Sequence, residues 1–321
     1  MSHAHPKITL LAGGVGGAKA AEGIAASQYR WNLNIIGNIA DDQEFHGLWV
    51  SPDIDTLTYS LADLIDRGNG WGLRGDSSRV LNSLERLGNE CWMQLGDMDI
   101  ATHIYRTQQR RLGRRPSEIA REIAERLGVD IPITLPTDDR VQTRIETPDG
   151  WLSFQEYFVR QRCQPEVKSI RFDGAERASA TPEALQAIAD SDLIIFAPSN
   201  PLVSIAPILA IPGIREALQN SPAYRIAISP LIGGKTVKGP ADRMLASTGL
   251  SSDLSGIASF YQGLIDALVI DRQDSHWQET LSQQGLAVTV TNTLMSRQEE
   301  KKQLLQETIE FALQSQLRRP A

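Results

Sequence analysis

Lys7-Ile8-Thr9-Leu10-Leu11-Ala12-Gly13-Gly14-Val15-Gly16-Gly17-Ala18-Lys19 decides the fold class of this chain. Residues 7–11 are short and apolar and read as a buried strand. The glycines force a tight turn, and an apolar, alanine-rich helix then runs to about Ser27. Strand, glycine turn and helix together make a phosphate cradle, in which backbone N–H groups and the helix N-terminus face an anion. The spacing is not a Walker A, because no Gly-Lys-Ser/Thr closes it. It is not a clean dinucleotide fingerprint either, because Lys19 stands where the third glycine belongs. The candidate phosphate contacts are Gly13, Gly14, Gly16, Gly17 and Lys19. The same glycines would also serve a tight turn with close strand-helix packing, so both readings stand.

Working outward, further apolar runs lie at 33–36, 193–197, 225–229, 267–270 and 287–291, each followed by a turn signal. Short apolar strands separated by helical patterns imply a parallel sheet covered on both faces. The expectation is therefore an α/β fold: a Rossmann-like, mostly parallel sheet with helices on both faces and a largely helical insertion. The chain reads as a single domain, 1–321, with a helical plus small β insertion at 56–175 over the carboxyl edge of the sheet. Within that block, 56–66, 77–87, 100–112 and 117–127 have helical periodicity. Strands at 142–147 and 151–154 flank the turn signal Pro148-Asp149-Gly150, and 167–172 adds a third strand. The tail, 296–317, is one charged amphipathic helix.

Ligands of open parallel sheets bind outside the carboxyl ends of the strands. The second strand leads into Gly37-Asn38-Ile39-Ala40-Asp41-Asp42, then His46-Gly47 and Ser51-Pro52-Asp53-Ile54-Asp55-Thr56. Asp41, Asp42, Asp53 and Asp55 crowd this stretch and repel one another unless a cation or hydrogen-bond donors sit among them. Mg²⁺ suits such oxygen donors and keeps positions open for phosphate. Asp41 and Asp55 are the first choices for the metal and for catalysis, with Asp42 and Asp53 next. An alternative makes Asp41 and Asp42 loop residues and Asp55 the cap of a helix starting near Thr56. Ser199-Asn200 and Gly233-Gly234 follow later strands and converge on the same edge, as nucleotide contacts or as ordinary turns. Lys235 and Lys238 are the cations nearest the second of these. Such a site suits phosphoryl transfer, which is mostly positioning and charge neutralisation. His46 and His103 are the histidines nearest the motifs, and a buried, backbone-bonded role is expected for them.

These motifs resemble the 2-phospho-L-lactate transferase family of coenzyme F420 biosynthesis over nearly the whole chain. Further markers are Arg67 to Gly75 around Trp71-Gly72, Leu95-Gly96-Asp97, Phe154-Gln155-Glu156-Tyr157-Phe158, Ala197-Pro198-Ser199-Asn200-Pro201 and Ser229-Pro230-Leu231-Ile232-Gly233-Gly234. The resemblance implies a metal-dependent transferase. Its donor would be a guanosine diphosphate ester of a small acid, its acceptor the ribityl hydroxyl of the deazaflavin Fo, and GMP would leave. It places Asp55 and Gln94 near Fo and implies a homodimer. One departure is Met98, where the family usually carries arginine in Gly-Asp-Arg-Asp. Relatives of the same fold that bind nucleotides as regulators, without a transferase step, are the alternative.

Composition narrows the classes. A net charge of −7 argues against a nucleic-acid binder, and the cluster Arg110, Arg111, Arg114 and Arg115 reads as a solvated helix end. Two cysteines, Cys91 and Cys163, give no disulfide framework and fit a reducing cytoplasm. No signal-peptide core or bilayer-length apolar run is present, so a cytoplasmic protein without membrane contact is expected. His3 and His5 read as part of a frayed terminus.

Overall fold

The computed structural model describes residues 6–237 and 241–318; His3, His5 and Lys238 lie outside them. The strands of the main sheet are β1 (Ile8–Ala12), β2 (Leu33–Gly37), β3 (Ile133–Thr134), β4 (Leu193–Phe196), β5 (Tyr224–Ile228), β6 (Ala267–Asp271) and β7 (Ala287–Thr291). They form one seven-stranded sheet in the order β7-β6-β5-β4-β1-β2-β3, and every pairing is parallel. Every residue of β1, β4 and β6 is buried, as a sheet covered on both faces requires. β1 is the hinge of the topology, with Ile8 opposite Leu33 on one side and Leu193 on the other. Strand order reverses between β1 and β4, which opens a crevice at their carboxyl ends.

Helix α1 (Gly14–Ala25) follows β1 and packs against α2 (Pro52–Leu61) and against the C-terminal helix. The approach to the C-terminal helix is close: a Cβ on Gly23 would stand 2.5 Å from the Lys301 carbonyl oxygen. The buried Glu22 carboxylate is paired there with Lys301, and Arg67 reaches its other oxygen at 2.8 Å.

The block expected as an insertion, 56–175, also supplies the edge strand β3, so part of it belongs to the main sheet. It further carries α3 (Asp97–Arg111) and α4 (Pro116–Arg126). Its antiparallel sheet consists of Gln142–Thr147 between Gly150–Ser153 and Ser169–Asp173. Two boundaries move. α2 starts at Pro52 rather than near Thr56, because proline suits the first helical position, and this places Asp53 and Asp55 in its first turn. A small hairpin, Gln43–Phe45 with Leu48–Val50, occupies what read as a loop; its turn residues His46 and Gly47 both have positive φ, 52° and 76°. His46 is an exposed turn residue there, not a buried one. Among the described residues no helix is long and apolar enough to cross a membrane.

Candidate active site at the sheet switch point

The glycine turn is packed before it is a cradle. A Cβ on Gly16 would lie 2.5 Å from the Pro198 carbonyl oxygen, and one on Gly17 would lie 2.9 Å from Ala12 Cβ. A Cβ on Gly13 would lie 2.8 Å from Asp53 Oδ2. These glycines bring the start of α1 against β1 and the loop after β4. Gly14 differs: its φ is +60°, and a Cβ there would make only an ordinary contact, 3.7 Å from Ser204 Oγ. Gly14, Val15, Gly16 and Lys19 are all partly accessible, so the start of α1 reaches the surface at the crevice.

Asn38 organises the acidic side. Its backbone N–H donates to Ala12, continuing the β1–β2 ladder, and its amide donates to Asp53 Oδ2 at 2.9 Å. Asn38 Oδ1 accepts from Ala40 N–H at 3.0 Å, which bends the chain into Asp41. Asp53 also accepts from the Gly14 N–H, so it stands at the N-terminus of α1. Burial nevertheless raises its pKa to about 6, against those two stabilising bonds. Asp41 is pushed well above the usual carboxylate range by burial, then by the charges of Asp53 and Asp42. Asp42 accepts from Ser51 Oγ at 2.7 Å and Trp49 Nε1 at 3.2 Å, yet burial lifts it to about 7. The Oδ1 atoms of Asp41 and Asp42 are buried and have no hydrogen-bond partner.

Asp55 has a different environment. Both its oxygens are held by the guanidinium of Arg106, with Nη1 at 3.0 Å from Oδ2 and Nη2 on Oδ1. Burial is the largest influence on Arg106 and would lower its pKa, but the charge and hydrogen bonds of Asp55, with the charges of Tyr59 and Asp42, together outweigh it. His103, fully buried, sits 3.7 Å from Asp55 Oδ2 through Nδ1 and 3.3 Å from Asp99 Oδ2 through Nε2. Tyr59 donates to Asp99 at 2.8 Å. His103 is thus buried as expected, but among carboxylates rather than backbone. Asp55, Asp99 and His103 are close enough to form a ligand group, with Arg106 occupying the carboxylate of Asp55. Asp41 thus stands with Asp53, and Asp55 with Arg106, while Asp42 lies between them and feels the charges of both Arg106 and Asp55.

The remaining expected residues are spread around the crevice. Ser199 is buried and bridges to the glycine turn, donating to Gly13 O at 2.7 Å. Asn200 caps the next turn by accepting from Leu202 N–H at 3.0 Å. Gly233 and Gly234 form the tip of a hairpin, with φ +60° and +72°, and Gly233 N–H is committed to Asp274 at 2.8 Å. Gln94 is exposed, its amide 3.4 Å from Cys91 O.

Gly96-Asp97 has a local duty. Asp97 accepts from Val80 N–H at the start of helix Arg79–Arg86, and Asp76 accepts from Met98 N–H at the start of α3. The two helices cap each other. Met98 follows the cap and is half exposed, lining a groove with Tyr59, Leu73 and Arg74. In the basic cluster, Arg114 pairs with Glu122 and Arg115 with Asp138 and Glu183, while Arg110 stacks on Trp49 at 4.2 Å.

Residues 8–309 match the model of the family described as 2-phospho-L-lactate transferase CofD. The chain belongs to that family. A 2-phospho-L-lactate transferase of Methanococcoides burtonii is 35% identical over 297 residues, covering 92% of this chain and 96% of the relative. A phosphoenolpyruvate transferase of Streptomyces griseus is also 35% identical, covering 95% and 98%. A crystal structure of a UPF0052-family protein from Bacillus halodurans aligns with a TM-score of 0.62 at 14% identity, over 96% of this chain and all of that one; this likeness concerns the fold.

In this CofD-family chain, sequence reasoning missed Asn38 as the organiser of Asp41 and Asp53, and Arg106 as the partner of Asp55. Asn38 stood within the quoted stretch Gly37 to Asp42, and its side-chain amide was the available signal. Arg106 lies 51 residues from Asp55, and only the rotation of α3 brings them together.

Proposed function

We propose that this chain transfers a phosphorylated small acid, 2-phospholactate or a close analogue, from a guanosine diphosphate ester to the ribityl hydroxyl of Fo. The hydroxyl oxygen bonds to the phosphorus next to the small acid, the bridging bond to GMP breaks, and the hydroxyl proton is released. The observation that carries this reading is the set of buried carboxylates, Asp41, Asp42 and Asp53, with raised pKa values and, among the described residues, no ion-pair partner, near the partly accessible start of α1. A helix N-terminus suits the diphosphate, and the carboxylates suit a cation that accompanies it. The match to the CofD family and the names of its relatives support the reaction class.

The donor set fits Mg²⁺: hard oxygens, two of them buried without a partner. Asp41 and Asp53 would hold the ion, with Asp42 adding charge behind them. Bound there, Mg²⁺ supplies charge neutralisation for the diphosphate and its leaving group. The chain's own part is to place the phosphates at the N-terminus of α1 and to keep Asp53 aimed there through Asn38. The Arg106-bound Asp55 fixes α2 against α3, so the first turn of α2 carries Asp53 rigidly.

The test is incubation with Fo, Mg²⁺ and a panel of guanosine diphosphate esters bearing phospholactate, phosphoenolpyruvate or phosphoglycerate. Mass spectrometry should show one Fo phosphodiester and equimolar GMP. Tight guanosine-nucleotide binding without turnover of any ester would overturn the transferase reading in favour of a nucleotide-binding regulator.

A further inference from the structure

Two serines of the loop after β4 reach the glycine turn, and they are used differently. Ser199 Oγ donates to Gly13 O at 2.7 Å and so serves the fold. Ser204 lies in the turn Pro201–Ile205, where Asn200 O accepts from Ser204 N–H at 3.0 Å and from Ile205 N–H at 3.3 Å. The second bond spans five residues, so the turn is π-helical and wider than an α-turn, a geometry frequent at functional sites. Pro207 has no N–H to offer the Val203 carbonyl four residues before it, and Asn38 Nδ2 donates there instead at 3.3 Å. The same nitrogen donates to Asp53 Oδ2, so one amide ties this turn to the acidic side of the crevice.

Ser204 faces the start of α1. Its Oγ is 3.7 Å from where a Cβ on Gly14 would stand. Its Cβ and Asp53 Oδ2 each lie 2.8 Å from the corresponding point on Gly13. The residue is only 7% exposed, and its hydroxyl has no hydrogen-bond partner among the described residues. A buried hydroxyl without a partner costs stability, and alanine would fill the same place without that cost. The hydroxyl is aimed at the first turn of a helix of 12 residues, where the Gly14 N–H goes to Asp53 and the Val15 and Gly16 N–H groups have no partner within the helix. A side-chain donor and two backbone donors thus border one opening, and an oxyanion with several lone pairs satisfies all three. We infer that Ser204 Oγ donates a hydrogen bond to a phosphate oxygen of the bound nucleoside diphosphate, next to the Val15 and Gly16 N–H groups. The inference rests on the start of α1 as the diphosphate site and gives that site its side-chain donor. Ser199 and Asn200 hold the loop that presents it.

The experiment measures GDP binding to the full chain by calorimetry in the presence of Mg²⁺, and melting temperature without nucleotide. Ser204→Ala removes the donor and keeps the Cβ that packs against Gly13. It should weaken GDP binding by roughly tenfold or more, as loss of a hydrogen bond to a charged group does. Without nucleotide it should melt no lower than the unmodified chain, because the hydroxyl has no partner in the fold to lose. Equal GDP affinity in Ser204→Ala and the unmodified chain would overturn the inference while leaving the diphosphate site at α1 intact. A lower melting temperature of Ser204→Ala without nucleotide would also overturn it, since the hydroxyl would then serve the fold. An unmodified chain that binds no GDP at millimolar concentration would overturn both.

Discussion

Asp42→Asn tests whether the acidic loop stores unfavourable charge. Burial raises the Asp42 pKa from an ordinary 3.8 to about 7. A folded carboxyl that holds its proton more tightly than the unfolded one binds more protons between those values. Folding stability from this group therefore falls as pH rises from about 4 to about 7 and is flat above. At roughly 1.4 kcal/mol per pH unit, that rise corresponds to a cost on the order of 4 kcal/mol at pH 8. Structural relaxation makes this an upper value. Asparagine is neutral, and its Oδ1 can still accept from Ser51 and Trp49. Its amide group takes the position of the orphaned oxygen. In EDTA at pH 8, Asp42→Asn should thus be more stable than the unmodified chain by about 2–4 kcal/mol. The gap should close towards pH 4, where both side chains are neutral. Urea unfolding of both proteins at pH 4.5, 6 and 8 gives the difference directly, and groups common to both cancel. A variant less stable than the unmodified chain at pH 8, or a gap that ignores pH, would refute the reasoning.

Gly16→Ala should cost about 2 kcal/mol or more in urea unfolding, because its Cβ meets the Pro198 carbonyl at 2.5 Å. Gly234→Ala, with φ +72° and open space, should cost only about 1–2 kcal/mol from backbone strain. Equal costs would contradict a packing duty for Gly16. Gly96→Ala places a Cβ 2.0 Å from Asp76 Oδ2 and should break the mutual capping. Hydrogen exchange should then speed up at Arg79–Arg86 and at the start of α3, with β1 and β4 amides unchanged. Asp55→Asn leaves the buried Arg106 guanidinium without a counter-charge and should destabilise by about 3–5 kcal/mol. The double variant Asp55→Leu with Arg106→Met should recover much of that loss, and a purely additive result would count against the pair.

The main sheet was legible because parallel strands buried on both faces are continuous apolar runs. The runs ending at Leu11, Ile36, Ala197, Ser229, Ile270 and Thr291 all became strands of the main sheet. The edge strand β3 was not legible, since two residues carry no periodicity. The hairpin at Gln43–Val50 turns on His46-Gly47, which lacks the usual Asn-Gly or Asp-Gly signal. The start of α2 was readable from Pro52, a local signal that the acidic cluster overshadowed. At the site, the carboxylates could be named from composition and spacing. Their surroundings could not, because Arg106 reaches Asp55 only through the tertiary placement of α3, and the antiparallel sheet reaches the acidic loop only through long-range bonds such as Thr143 N–H to Ala40 O.

On the proposed function, that difference in partners distinguishes Asp55 from the carboxylates that would hold a cation. Asp55 lies in the same turn of α2 as Asp53, and the fold gives it a buried guanidinium held by two bonds. Among the described residues no cation forms an ion pair with Asp41, Asp42 or Asp53. They receive only neutral donors: the Asn38 amide, the Gly14 N–H, Ser51 and Trp49. The chain therefore can neutralise a buried aspartate in this region, and does so one helical residue pair away. Stability alone would favour the same solution, or apolar residues, at the other three positions. Retaining three desolvated, mutually repelling carboxyl groups at a sheet switch point, each with a raised pKa, is the pattern of a site completed by a bound cation. The reasoning fixes a direction as well: cation binding must displace protons from these groups, so affinity should rise with pH through about 6 to 7, the range in which Asp53 and Asp42 ionise. Calorimetric Mg²⁺ titrations at pH 5.5 and 8, in buffers of different ionisation enthalpy, should show tighter binding at pH 8 and proton release at pH 5.5. PH-independent affinity with no proton release would mean that these carboxylates do not hold the ion.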